Sequence, residues 1–310
     1  MSPQNSIAVV SRTFSKNPEL AHELRKYFPN VRFNTEHKLA HSDLASFIGD
    51  ASGAIIALEH IDDYVLDQCP HLEIISKYGV GLDNIDSEAC KARSITVGWT
   101  GGSNRLSVAE MTIGFMLALS RNLFKTTMEL KKGVWNKNGG FELSGRTVGI
   151  VGVGNVGKEV IRLLKPFNCR ILVNDIIDQR DYYLTEEVKE VSKEEIYAQA
   201  EVISLHVPLT PLTKRMVNEA MLELMRPEAY LINTARGSLV DYHALKDALQ
   251  SKKIAGAAID VYDEEPPNDI ELLSLDTLIC TPHIGGNSKE AVLAMGMSAI
   301  EHLKKHFFTT

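Results

Sequence analysis

Residues 147–164 read TVGIVGVGNVGKEVIRLL, and Gly152, Gly154 and Gly157 fall within it in the spacing GxGxxG. The spacing alone is weak, because glycine is common; the setting gives it weight. An apolar β-branched run leads into it, a pattern with the helical period follows, and CRILVND delivers Asp175 about twenty residues on, at the end of the next apolar run. Strand, glycine turn, helix and strand in that order predict a βαβ unit that binds a dinucleotide. Gly152 allows the tight turn, Gly154 lets backbone approach a pyrophosphate, Gly157 lets helix meet strand, and N–H groups at the helix start face the anion. A carboxylate at Asp175 would hold the ribose hydroxyls and repel a 2′-phosphate, which favours NAD over NADP, with Arg180 close enough in sequence to soften the preference.

Outward from this unit, short β-branched runs alternate with amphipathic stretches. IAVVS, GAIIAL, LEIISKYG and ITVGW precede it, with helices through Leu20 to Tyr27 and around Ser87 to Arg93. CRILVND, EVISLHV, AYLINTA, IAGAAIDV and TLICTP follow, apolar on both parities as strands covered on both faces should be. The alternation predicts parallel sheet with crossover helices. Between the two series, SVAEMTIGFMLALSRNLFKTTMELKKGVW reads as one helix of roughly seven turns, with Ser107 and Glu110 as a capping box. The loop NKNGGFELSGR then leads into the second series, and a last helix follows Ser288, its expected N-cap.

Composition bounds the function. The 310 residues are 24% charged and 44% hydrophobic with a net charge of −7, a globular make-up that argues against a surface built for nucleic acid. The longest apolar stretch, Met111 to Leu119, falls far below the roughly 18 residues that span a bilayer, and the first residues carry no signal core; a soluble cytoplasmic protein is expected. Cys69, Cys90, Cys169 and Cys280 lack metal-ligand spacing and read as free thiols. The one i, i+4 histidine pair, His37 and His41, lies in a polar stretch and reads as solvated, so no metal site is expected.

Three polar residues stand at the ends of later apolar runs: Arg236 in LINTARGSLVD, Glu265 in DVYDEEPPND and His283 in ICTPHIGG. Alone, each has an ordinary reading as a solvated residue or a core filler. Together, at the edge of an open α/β sheet where ligands lie, they form a proton-transfer and anion-binding set.

The segments KYGVGLDNID, SVAEMTIGFMLALSRN, VGIVGVGNVGKEV, LHVPLTPLT, LINTARGSLVD, DVYDEEP and TPHIGG, in this order, resemble the D-isomer-specific 2-hydroxyacid dehydrogenases, in flavour closest to their phosphoglycerate dehydrogenase-like branch. The resemblance implies two doubly wound α/β domains. A flavodoxin-like substrate domain would comprise residues 1–102 and 288–310, and a Rossmann NAD-binding domain residues 103–287, with substrate between them and a homodimer built around the long helix. It implies Arg236, Glu265 and His283 as the catalytic set. It adds Asn155, Val156, His206, Val207, Pro208, Thr213, Thr234, Ala235 and Asp260 to the cofactor contacts, and Tyr78, Gly79, Val80 and Gly81 to the substrate contacts; Asn104, with Arg105 in GGSNRLSVAE, is a further substrate contact reached from a hinge, with a capping or exposed role standing level.

The chemistry of that set follows from the residue types. A planar guanidinium at Arg236 grips the carboxylate and C2 oxygen of a 2-hydroxy acid together. His283 would take the hydroxyl proton in oxidation and return it in reduction, while Glu265, at the far imidazole nitrogen, fixes the tautomer and favours the protonated ring. Backbone N–H groups at Gly79 to Gly81 suit a carboxylate, since glycine leaves room for close approach. Glu264 is expected to be a solvated neighbour, and Asp260 and Asp241 also read as loop or turn anchors.

Several phosphoglycerate-oxidising members carry an arginine in the loop after the third strand, where this chain has Leu58, Glu59 and His60; Arg105 is the nearest compensating cation by sequence. Glyoxylate or hydroxypyruvate reduction and phosphoglycerate oxidation therefore stand level. Corepressors related to the family keep fold, NAD binding and triad, so an NAD-sensing partner-binding protein is the alternative reading.

Overall fold

β-branched runs too short to bury themselves singly are paired into two parallel sheets in the computed structural model, which describes residues 5–36 and 39–309. The chain divides into two compact units, Met1–Asn104 with Lys289–Thr310, and Arg105–Ser288. The sheets make this an α/β protein with two doubly wound parallel-sheet domains.

The first unit holds β1 (Ser6–Val9), β2 (Asn30–Phe33), β3 (Gly53–Ile56), β4 (Ile74–Lys77) and β5 (Thr96–Gly98), in the order β2-β1-β3-β4-β5. This is the flavodoxin-like order, with its reversal between β1 and β3. Alternate residues of β1 feed different cores. Ala8 and Val10 pack with Leu44, Ile48 and Val65, while Ile7 and Val9 pack with Leu20, Leu24, Ala299 and Leu303. The second of these cores is closed by the helices Pro18–Tyr27 and Lys289–Phe308. Ser76 Oγ donates to Ala299 O at 2.7 Å, and the helix comes so near β5 that a Cβ on Gly98 would stand 2.6 Å from His302 Cβ.

The second unit holds β6 (Thr147–Val151), β7 (Arg170–Asn174), β8 (Lys189–Glu190), β9 (Val202–Leu205), β10 (Tyr230–Asn233), β11 (Gly256–Ile259) and β12 (Leu278–Cys280). Their order is β12-β11-β10-β9-β6-β7-β8, so the direction of winding reverses between β6 and β9. One face carries Val148, Ile150, Ile232 and Ala258 under the helices Arg105–Ser120 and Asn155–Leu164; the other carries Val151, Ile203, Leu231 and Ile259 under Lys193–Gln199 and Tyr242–Gln250.

Four details differ from the sequence reading. The expected seven-turn helix is two helices, Arg105–Ser120 and Leu123–Lys131, because Asn122 turns left-handed (φ 52°), a conformation asparagine tolerates better than most residues. Ser107 is not its cap: the helix starts two residues earlier, and Ser107 Oγ instead donates to Gly285 O at 2.6 Å and accepts from Ser288 N at 3.4 Å. The boundaries fall at 104/105 and 288/289 instead of 102/103 and 287/288, and Ser288, bonded to Ser107, lies in the second unit. Strands β2 and β8 escaped the apolar-run criterion, since β8 is two charged residues and β2 alternates exposed and half-buried positions at a sheet edge. Among the described residues, no helix is long and apolar enough to cross a membrane.

Leu303 is fully buried against the first unit's sheet. Leu303→Ala should lower unfolding free energy by about 2–5 kcal/mol, the cost of an unfilled core site, measured by urea denaturation; an unchanged midpoint would contradict the packing of this helix.

Candidate active site

The glycine turn sits where the second sheet reverses. Gly152 has φ 95°, and a Cβ there would lie 2.6 Å from the His206 carbonyl, so β6 and the end of β9 meet backbone to backbone. A Cβ on Gly157 would stand 2.1 Å from Gly152 O, whereas one on Gly154 would meet nothing within 4 Å. The helix begins at Asn155 with no side chain capping its first N–H groups, and Val156 packs beneath it. Bare backbone, open space and uncapped N–H groups together fit a pyrophosphate.

Asp175 follows β7, and its orientation is fixed by the turn it serves. Its Oδ2 accepts from Val153 N at 2.6 Å and its Oδ1 from Ile177 N at 2.9 Å. Arg180 is drawn to Asp178, 2.9 Å away. Sequence reasoning missed Ile176 and Ile177, which are 95% and 64% exposed beside this carboxylate and offer an apolar platform suited to a flat heterocycle. Two adjacent isoleucines just after an acidic strand end were the available signal.

The turn after β9 is braced internally. Thr213 Oγ1 donates to Pro208 O at 2.7 Å and accepts from Thr210 N at 2.8 Å, while Val207 packs on the core. His206 Nε2 lies 2.9 Å from Ser204 Oγ, its Nδ1 is buried without a partner, and burial pushes its pKa down, so the ring is neutral at pH 7.

Three neighbouring loops bring the polar set together at the ends of β10, β11 and β12. After β10, buried Asn233 accepts from Ala235 N at 3.1 Å and donates to Arg236 O at 2.8 Å, holding the turn from which the half-buried Arg236 projects. Thr234 meets Thr112 of the helix Arg105–Ser120, hydroxyl to hydroxyl at 3.1 Å. Gly237 then lets this loop touch the next: a Cβ would stand 2.1 Å from the Tyr262 carbonyl carbon, and Ser238 Oγ donates to Asp263 Oδ1 at 2.6 Å.

After β12, His283 has φ 53°, a strained region for a non-glycine residue. The buried carboxylate of Asp260 holds the loop around it. Oδ1 accepts from Thr281 Oγ1 at 2.6 Å and Ile284 N at 2.8 Å, and Oδ2 accepts from Gly285 N at 2.7 Å. His283 Nδ1 lies 2.8 Å from both Glu265 oxygens, and Glu265 Oε1 also accepts from Tyr262 N at 3.2 Å. With Nδ1 engaged, Nε2 is the nitrogen left to exchange a proton, and the half-exposed ring is accessible to do so. Glu264 turns away to accept from Asn268, and Asp241 caps the helix Tyr242–Gln250.

In the first unit, Tyr78 is buried at the end of β4 with its ring edge-on to Phe14 at 5.4 Å. Gly79 follows with φ 144°, Val80 O accepts from Trp99 Nε1 at 2.8 Å, and Gly81 is half-buried. Asn104 is buried and its Oδ1 has no hydrogen-bond partner among the described residues. In the loop after β3, Leu58 is exposed and Glu59 folds back to accept from Ala57 N at 2.6 Å; in the second unit, Arg105 pairs with Glu159 at 3.7 Å. His41 pairs with Asp62 at 3.2 Å, and His37 lies outside the described residues. All four cysteines are free.

Gly157→Ala should abolish NADH binding, followed by energy transfer from protein fluorescence, because its methyl and the Gly152 carbonyl cannot share the space. Unaltered affinity would remove the turn from the cofactor site.

Residues 113–285 match the sequence profile of the D-isomer specific 2-hydroxyacid dehydrogenase, NAD binding domain. The chain is 39% identical to D-3-phosphoglycerate dehydrogenase of Methanocaldococcus jannaschii over 78% of its own length and 47% of that protein's, so it spans about half of that relative. It is 37% identical to hydroxypyruvate reductase of Thermotoga maritima over 78% of its length and 79% of that protein's. Its fold matches the crystal structure of D-lactate dehydrogenase from Aquifex aeolicus complexed with NAD and lactic acid, with a TM-score of 0.86 at 27% identity over 97% of this chain and 95% of that one. Uncapped glycine turn, acidic strand end and profile agree: the chain belongs to the D-isomer specific 2-hydroxyacid dehydrogenase family, and its second unit carries that family's NAD-binding domain.

Proposed function

We propose that the protein is an NAD-dependent oxidoreductase interconverting a small D-2-hydroxy acid and its 2-oxo acid. The observation that carries this reading is the His283 imidazole with Nδ1 at 2.8 Å from both Glu265 oxygens and Nε2 uncommitted among the described residues. Glu265 fixes the tautomer, so Nε2 can deliver a proton to a C2 oxygen in reduction and remove it in oxidation. Arg236, braced by Asn233, holds the substrate carboxylate and C2 oxygen so that C2 is presented in one orientation. The first unit is the substrate domain in this reading, with Tyr78, Gly79, Val80, Gly81 and Asn104 as its substrate contacts.

NAD supplies the hydride chemistry. Gly152, Gly154, Asn155, Val156 and Gly157 would hold its pyrophosphate, Asp175 its ribose, and His206, Val207, Pro208, Thr213, Thr234, Ala235 and Asp260 the remaining contacts. The candidate acids are 3-phosphoglycerate, hydroxypyruvate and glyoxylate. Four free thiols fit a reducing compartment, and we place the protein in the cytoplasm.

The homodimer is part of the same proposal. The helix Leu123–Lys131 has no buried residue, yet it and the following turn expose Leu123, Phe124, Met128, Leu130, Val134 and the 77% exposed Trp135. An apolar surface of this kind, on a helix that buries none of its own residues, suits a second copy of the chain.

Two experiments test these readings. NADH oxidation with glyoxylate, hydroxypyruvate, pyruvate and 3-phosphohydroxypyruvate should single out one acid, and His283→Ala should lose about two to four decades of kcat while keeping NADH affinity; an active His283→Ala would remove the proton shuttle. Leu130→Glu with Trp135→Glu should convert a dimer to monomer in sedimentation velocity, and a wild-type profile would place the interface elsewhere.

A further inference from the structure

One residue outside the catalytic set touches the loops of all three members. Tyr262, half-buried after β11, presses its carbonyl against Gly237, the residue next to Arg236. Its backbone N–H donates to Glu265 Oε1 at 3.2 Å. Its hydroxyl donates to Thr281 O at 2.9 Å, the same oxygen that accepts His283 N–H at 3.0 Å. Glu265 is thus held by one end of Tyr262, and the backbone of His283 hangs from a carbonyl held by the other.

We infer that Tyr262 is a positioning residue that sets the separation of Glu265 and His283 and keeps both in register with Arg236. This rests on the acid-base reading above and deepens it. The geometry has little slack. Val261 O on one side of Tyr262 accepts from Tyr242 Oη at 2.5 Å, and Asp263 on the other accepts from Ser238, so the segment cannot drift along the sheet edge. Burial raises the Tyr262 phenol, which stays an O–H donor throughout the working pH range. Asp260 grips the loop through Thr281 Oγ1, Ile284 and Gly285, but not through Thr281 O; that anchor belongs to Tyr262 and to His283 itself. Losing the hydroxyl leaves the Thr281 carbonyl with one protein donor, and His283, at φ 53°, is free to relax away from Glu265.

The test is Tyr262→Phe, which keeps ring and backbone and deletes the hydroxyl alone. With NADH and the oxo acid reduced best, kcat should fall about tenfold, the scale of loss for a catalytic group displaced by a fraction of an ångström, with KM for NADH within about twofold of wild type. A role confined to stability would lower Tm and leave kcat, measured below the unfolding transition, at its wild-type value. In a Glu265→Gln background the further effect of Tyr262→Phe should shrink below about twofold, because both changes act on one alignment. A wild-type kcat in Tyr262→Phe, or full additivity with Glu265→Gln, overturns the inference while an inactive His283→Ala leaves the parent reading standing; an active His283→Ala overturns both.

Discussion

A contact between two backbones governs the second unit: Gly157 passes the Gly152 carbonyl at a distance no side chain permits. That closeness aims the start of the helix Asn155–Leu164 along the C-terminal edge of β6 with its N–H groups uncapped. It also brings Val153 N within reach of Asp175, so the carboxylate is positioned by the turn itself. Because every strand is parallel, the loops after β9, β10, β11 and β12 emerge at this same edge. The cofactor turn and the polar set are consequences of one sheet with one reversal.

The polar set is organised by backbone as much as by side chains. Asn233, Asp260 and Tyr262 belong to consecutive strand ends, and their hydrogen bonds go to main-chain atoms of the loops that carry Arg236 and His283. A buried carboxylate such as Asp260 is costly unless fully bonded, and here three donors satisfy it. The left-handed turn at His283 is held by those bonds, an instance of local strain offset by its surroundings at the candidate site.

Much of this was legible from residue types. The glycine spacing with Asp175, and the three polar residues ending apolar runs, could be placed because parallel sheets put such residues at one edge. What escaped had physical causes. The break at Asn122 leaves the apolar pattern unaltered, so periodicity ran through it. Ser107 and Glu110 satisfy a capping pattern, but a tertiary bond to Gly285 claimed the serine hydroxyl. Strands β2 and β8 lie at sheet edges and need no apolar run. Tyr262 gave no signal because its role depends on which carbonyl its hydroxyl meets, a matter of three-dimensional register.

The helix Lys289–Phe308 belongs to the first unit although it is reached only after the whole of the second. During synthesis, Ile7, Val9, Ile55 and Ile74 are made before the second unit, but their covering residues Met295, Ala299, Ile300 and Leu303 are made after it. The cofactor-binding unit can therefore complete itself on the ribosome while its neighbour still shows an open apolar face. Vectorial synthesis thus leaves the nascent chain a window for chaperone capture or aggregation that closes only once the helix Lys289–Phe308 has been made.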